Sequence, residues 1–231
     1  MKKVLLFIIL LSPLYSFAQG WLSLSGTVAE NYITDIHGNM ELLGGYEYKN
    51  FSANTGASLI FTHSQTRVEA FQVQAAYLFN IPYVPIELKT GYLLLPHTNT
   101  IFKEHIWHLQ AMLKHPHIEI SIGYLIRTYA AKNTQYSEFN DFIYCVQAYA
   151  WKKGNPYNID LAISNYNDLY IERSINPHIR LRGSYSYPKY LTYYIEGLYG
   201  GSGVGNVYFE QFQWRIKLGV IWNISDTFCL Q

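Results

Sequence analysis

The chain is 231 residues long, with a formal net charge of +1, 14% charged residues and 17% aromatic ones. So little charge beside so many rings excludes a disordered chain, and the lack of a basic surplus argues against a nucleic-acid partner. Two cysteines, Cys145 and Cys229, are too few for a disulfide scaffold, and the eight histidines are too scattered for a metal site or any other cofactor site.

Residues 1–18 read as a secretory signal: Lys2-Lys3, an apolar core from Val4 to Leu11, and the small-x-small end Ser16-Phe17-Ala18. That core is too short to span a bilayer. Residues 19–231 are then expected to form a single domain. Nothing in them approaches the roughly 20 apolar residues of a transmembrane helix.

From Trp21 onward the chain alternates with period two, the signature of strands with one apolar and one polar face. The first segment, Trp21–Ala29, sets Leu22, Leu24 and Val28 against Ser23, Ser25 and Thr27. Met40–Tyr48, Phe51–Phe61 and Arg67–Phe79 follow, with Glu41 and Glu47, then Ser52, Asn54 and Ser58, then Gln72 and Gln74 on their polar faces. The fifth and sixth, Ile86–Leu94 and Ile101–Leu113, oppose Leu88 and Trp107 to Glu87, Lys89, Glu104, His108 and Gln110. In the seventh, Ile118, Ile120, Ile122, Tyr124 and Ile126 face away from Glu119, Ser121, Gly123 and Arg127. The eighth sets Phe142, Tyr144 and Val146 against Asp141, Cys145 and Gln147, and the ninth sets Ile159, Leu161 and Ile163 against Asp160 and Ser164. The tenth places His178, Arg180, Arg182, Ser184 and Ser186 opposite Ile179, Leu181, Tyr185 and Tyr187. The eleventh has Leu191, Tyr193 and Ile195 against Thr192, Tyr194 and Glu196. The twelfth, Phe209–Trp222, is the longest alternation, with Phe212, Trp214, Ile216, Leu218, Val220 and Trp222 against Gln211, Gln213, Arg215, Lys217 and Gly219.

Twelve such segments, rich in tyrosine (22 residues), predict an all-β fold. The expected architecture is a transmembrane antiparallel up-and-down β-barrel of about twelve strands, lipid outside and a polar lumen within. Ten strands is the alternative, if the first and ninth segments pair only at a rim. The connections agree. Lys49-Asn50, 80–85, 114–116, 152–156 and Pro188-Lys189 are short and hold five of the seven prolines beyond residue 18. Residues 62–66, 131–137, 165–173 and 200–206 read as longer polar or glycine-rich loops on the opposite side.

On these segments and this loop asymmetry, the chain resembles Gram-negative outer-membrane β-barrel proteins as a class. The resemblance implies an outer-membrane address and contact with outer-membrane lipids and lipopolysaccharide. It also implies insertion by the barrel assembly machinery. Many members end on an aromatic residue, whereas this chain ends Thr227-Phe228-Cys229-Leu230-Gln231, leaving Phe228 or Trp222 for that role. The function implied is a narrow pore or a structural or assembly component; a lipid hydrolase of the phospholipase or lipid A deacylase type is the alternative.

For the hydrolase, His63-Ser64 is no pair on a strand, because adjacent residues point to opposite faces. His105 is expected to face lipid between Leu94 and Thr128, with no serine beside it. Residues 200–205 form a flexible glycine-rich loop and no phosphate cradle. The candidate site is instead the inward charge cluster of the last three segments: Arg180, Arg182, Glu196, Arg215 and Lys217. Two readings of it are open: an ion-pair network that fills a narrow lumen, and a basic strip that attracts small anionic solutes.

Overall fold

A strand with one apolar and one polar face is stable only where it separates two phases, and a membrane-spanning sheet must also close so that no edge is left unpaired. The computed structural model describes residues 19–31, 35–61, 66–82, 84–96, 102–131, 134–151, 155–167, 170–171, 177–200 and 213–224. Its strands are β1 (Gln19–Asn31), β2 (Asp35–Tyr48), β3 (Phe51–Phe61), β4 (Thr66–Phe79), β5 (Ile86–Pro96), β6 (Phe102–Lys114) and β7 (Ile118–Ala131). There follow β8 (Thr134–Tyr149), β9 (Tyr157–Ser164), β10 (Tyr166–Asn167), β11 (Tyr170–Ile171), β12 (His178–Ser186), β13 (Leu191–Gly200) and β14 (Gln213–Asn223). Twelve of them close into one barrel in the order β1-β14-β13-β12-β9-β8-β7-β6-β5-β4-β3-β2, while β10 and β11 pair only with each other. Every pairing is antiparallel, and β1 seals against β14 from Trp21↔Asn223 to Glu30↔Trp214. The first and ninth segments are both wall strands, so the ten-strand alternative is excluded.

The expected faces hold along the wall. Leu109, Ile122, Phe142 and Leu218 are each about 60% exposed on the outside (59%, 63%, 60% and 59%). A continuous apolar belt of this kind needs lipid as its solvent. Aromatic rings gather toward one rim, among them Tyr157 stacked on Tyr185 with centroids 4.8 Å apart and Tyr77 edge-on to Phe79 at 4.9 Å. That rim carries the short connections and both ends of the wall, Gln19 and Asn223. It is called the turn end below, and the opposite rim the loop end. Lys49, with φ 53°, makes the reversal of the two-residue Lys49-Asn50 turn.

Three differences from the sequence reading matter. First, 131–137 is largely strand: β7 runs to Ala131 and pairs with Thr134 at the start of β8. Ladder bonds continue there in spite of the polar composition. Second, the chain after β9 goes inward instead of forming an outer loop, beginning at Asn165, which is 1% exposed. Third, the inner face is not polar throughout. Leu43, Ala70, Leu93, Ile106, Leu125 and Ile143 pack together inside the barrel. Each occupies an inward position of an otherwise alternating strand, and in a lumen this narrow such side chains can bury one another. Residues 1–18, His63-Ser64, the 201–206 stretch, Phe228 and Cys229 lie outside the described residues.

The wall is uneven in height. β8 has 16 residues, while β9 and β12 have 8 and 9. Leu218 sits mid-strand on the outer face, so Leu218→Arg places a charge in hydrocarbon. The change should cost about 2–4 kcal/mol in a urea-unfolding measurement on barrel folded in bilayers.

Candidate functional site

The register of the low wall decides which charges meet. Arg182 lies opposite Glu196 and Glu196 opposite Lys217, while Arg180 lies opposite Leu198 and Leu198 opposite Arg215. All five residues therefore share one inner surface, as the alternation predicts. Their partners are richer than expected. Asp160 on β9 receives Arg180 Nη2 at 3.1 Å and Gln147 Nε2 at 2.9 Å. Arg180 Nε also lies 4.0 Å from Glu196 Oε2. Lys217 Nζ donates to Glu41 Oε2 at 2.6 Å, and Ser25 Oγ approaches the same oxygen at 3.4 Å. Arg182 stacks its guanidinium 4.0 Å above the Tyr194 ring, a cation–π contact.

Glu196 is thus not the sole carboxylate among four cations: Asp160 and Glu41 share the task. Both were visible as inward acids. What the alternation could not show is the register, which brings Asp160 to Arg180 and Glu41 to Lys217.

Close packing under the cluster depends on two glycines. Tyr194 lies directly across from Gly219, and its ring occupies the space a side chain there would fill. Trp21 covers Gly45 in the same way across the β1–β2 pair. Only a residue without a Cβ lets an inward ring lie flat on the wall at these points.

Two small cavities lie among the charged side chains. The larger, about 90 Å³, is lined by Trp21, Ser23, Arg180, Arg182, Tyr194, Glu196 and Lys217. The smaller, about 10 Å³, is lined by Thr27, Glu41, Glu196, Leu198, Arg215 and Lys217. Read along β1, from Ser23 to Thr27, the first lies toward the turn end and the second toward the loop end. Glu196 and Lys217 border both. Together they form the partition between the two, of which the larger has room for a few waters.

On the opposite half of the lumen, inward side chains pair with one another. Arg127 and Glu104 form a hydrogen-bonded ion pair with side chains only 5% and 1% exposed. Gln74 donates to Gln72 at 3.1 Å, and Asn54 joins the same amide network. Glu69, the extra residue of a bulge opposite Ser58–Leu59, turns inward to accept from Asn39 Nδ2 at 2.7 Å and Ser58 Oγ at 3.0 Å. A bulge re-aims a side chain in a way that alternation cannot anticipate. On the outside, His105 lies between Leu94 and Thr128 as expected, and its Nδ1 is 2.6 Å from the Tyr92 hydroxyl.

No protein-family model matches the chain, and no curated protein matches it in sequence. Solved structures do. The NanC porin is similar with a TM-score of 0.59 at 13% identity, over 87% of this chain and 98% of that one. The KdgM porin in complex with disordered oligogalacturonate is similar at 0.55 and 13%, with the same coverage. The Salmonella typhi outer membrane phospholipase dimer with bound calcium is similar at 0.50 and 9%, over 89% and 90%. At such identities the likeness concerns the fold, which is that of the outer-membrane β-barrel proteins.

The two halves of the lumen should respond differently to loss of a carboxylate. Glu104→Gln leaves Arg127 charged in a dry space and should cost about 3–5 kcal/mol. Glu196→Gln should cost clearly less, because the adjoining 90 Å³ cavity can hydrate the remaining cations. Urea midpoints followed by tryptophan fluorescence compare the two.

Proposed function

We propose that the protein is an integral outer-membrane barrel serving as a narrow pore for small solutes, with a preference for anions. The observation that carries this reading is the pair of cavities meeting at Glu196 and Lys217 along the charged wall. Free space beside paired charges lets water and small ions reach them. Four cations, Arg180, Arg182, Arg215 and Lys217, face the three carboxylates Asp160, Glu196 and Glu41 along this path, a mild bias toward anions. The likeness to KdgM, solved with the polyanion oligogalacturonate, supports an anionic solute of the sugar-acid kind. The exposed apolar belt is the surface for outer-membrane lipids and lipopolysaccharide, and the barrel assembly machinery is the expected route of insertion. Nothing at His105 favours the lipid-hydrolase alternative, since its hydrogen-bond partner is the phenol of Tyr92.

The partition residues offer a test of opposite sign. In planar bilayers under a salt gradient, the wild-type protein should show small steps, well below those of a sixteen-strand water channel. Glu196→Gln should move the reversal potential further toward anion selectivity, and Lys217→Gln toward cations. Equal reversal potentials in all three would place the current elsewhere.

A further inference from the structure

The shortness of β9 has a structural cause. After Ser164, where β9 has paired with β8 only from Cys145 to Tyr149, the chain leaves the wall. Asn165 takes over the ladder at that point. Its Oδ1 accepts from Tyr144 N at 2.9 Å, its Nδ2 donates to Phe142 O at 2.8 Å, and its own backbone N donates to Tyr144 O at 3.3 Å. One carboxamide thereby supplies the donor and acceptor that another strand residue would have given β8. The substitution satisfies the edge at Phe142 and Tyr144 and frees the main chain to turn inward at mid-height.

Tyr166 is what enters. Ser164 Oγ donates to Tyr166 O at 2.9 Å and holds the turn. The phenol passes under β8 to the inner faces of β7 and β6, where its oxygen lies 3.1 Å from Ser121 Oγ and donates to Gln110 Oε1 at 3.3 Å. The ring packs on the inner apolar cluster. Both hydrogen-bond partners are buried on inward positions, 4% and 1% exposed.

We infer that Tyr166 narrows the bore of the lumen: a tyrosine tethered at both ends, filling the sector of the barrel bordered by β6, β7, β8 and β9. The inference rests on the pore reading and extends it. Solutes are held toward the charged wall along β12 to β14 because this ring fills the sector beside it. The closure is built from a neutral ring and neutral hydrogen bonds, so it restricts size and leaves charge selection to the Glu196–Lys217 wall. Removing the ring should widen the path without altering its ion preference.

A native reporter lies beside it. Cys145 is half-buried on the inner face, opposite Ser121 on one side and Ser164 on the other. With Cys229 replaced by serine, Cys145 is the one remaining thiol. The experiment measures its reaction rate with a water-soluble methanethiosulfonate, and the conductance, for Tyr166, Tyr166→Phe and Tyr166→Ala proteins in lipid bilayers. Tyr166→Ala should raise both several-fold at an unchanged reversal potential. Tyr166→Phe, which keeps the ring and loses the tether, should give an intermediate rate, and it decides the matter if the alanine protein does not fold. A thiol rate unaffected by loss of the ring or the hydroxyl overturns the inference. Faster labelling with no current in any of the proteins upholds Tyr166 as the closure and instead defeats the pore reading.

Discussion

Backbone hydrogen bonding in a medium without water is the constraint from which the rest of this structure follows. Each amide and carbonyl in the hydrocarbon layer must find a partner within the protein, because an unpaired group there costs several kcal/mol. Closure of β1 on β14 meets that demand for the sheet as a whole. Asn165 meets it locally, where the wall would otherwise expose the edge of β8. That the chain places a carboxamide at this one step shows how little freedom the constraint allows. It also shows how an in-turning segment can be inserted without breaking the barrel.

Closure creates a second problem, the interior. A twelve-stranded barrel is wider than one that side chains fill automatically and narrower than an open channel. This lumen solves the problem unequally. On the β4–β8 side, apolar packing, the amide network around Gln72 and Gln74, and the Arg127–Glu104 pair occupy the interior. On the low β12–β14 side, long cations and their carboxylates pack less completely, and the residual volume collects around them. A buried ion pair is stable only if geometry and further hydrogen bonds offset desolvation. A partly hydrated cluster relaxes that requirement. The distribution of free space and the distribution of charge are therefore one fact seen twice.

Aromatic rings act in both places by different physics. Outside, Tyr157, Tyr185 and Tyr187 form a stacked series at the turn end, where a ring can keep one edge wet. Inside, Tyr194 and Trp21 lie flat on glycines and give the charged path a rigid floor. Tyr166 fills the sector between β6 and β9. The high tyrosine content reads at first as a membrane-interface signal, yet part of it furnishes the lumen.

The period-two pattern alone determined which side of the wall most residues take and limited the strand count to twelve or ten, because a one-residue slip would turn every apolar side chain from lipid to lumen. It placed Arg180, Arg182, Glu196, Arg215 and Lys217 on one inner surface and His105 between Leu94 and Thr128, and the register agrees at each position. Other features arise only from contacts between residues distant along the chain, which a period cannot encode. The pairing of Lys217 with Glu41 spans 176 residues and exists because the sheet closes. The inward aim of Glu69 comes from a bulge, and the inner apolar cluster from six strands converging on a space too small for water. The course of Tyr166 reverses what composition implies, since a polar stretch after a strand reads as an outer loop. It runs inward because Asn165 can satisfy the β8 edge and Ser121 and Gln110 can hold the phenol, a set of partners that only the folded barrel assembles.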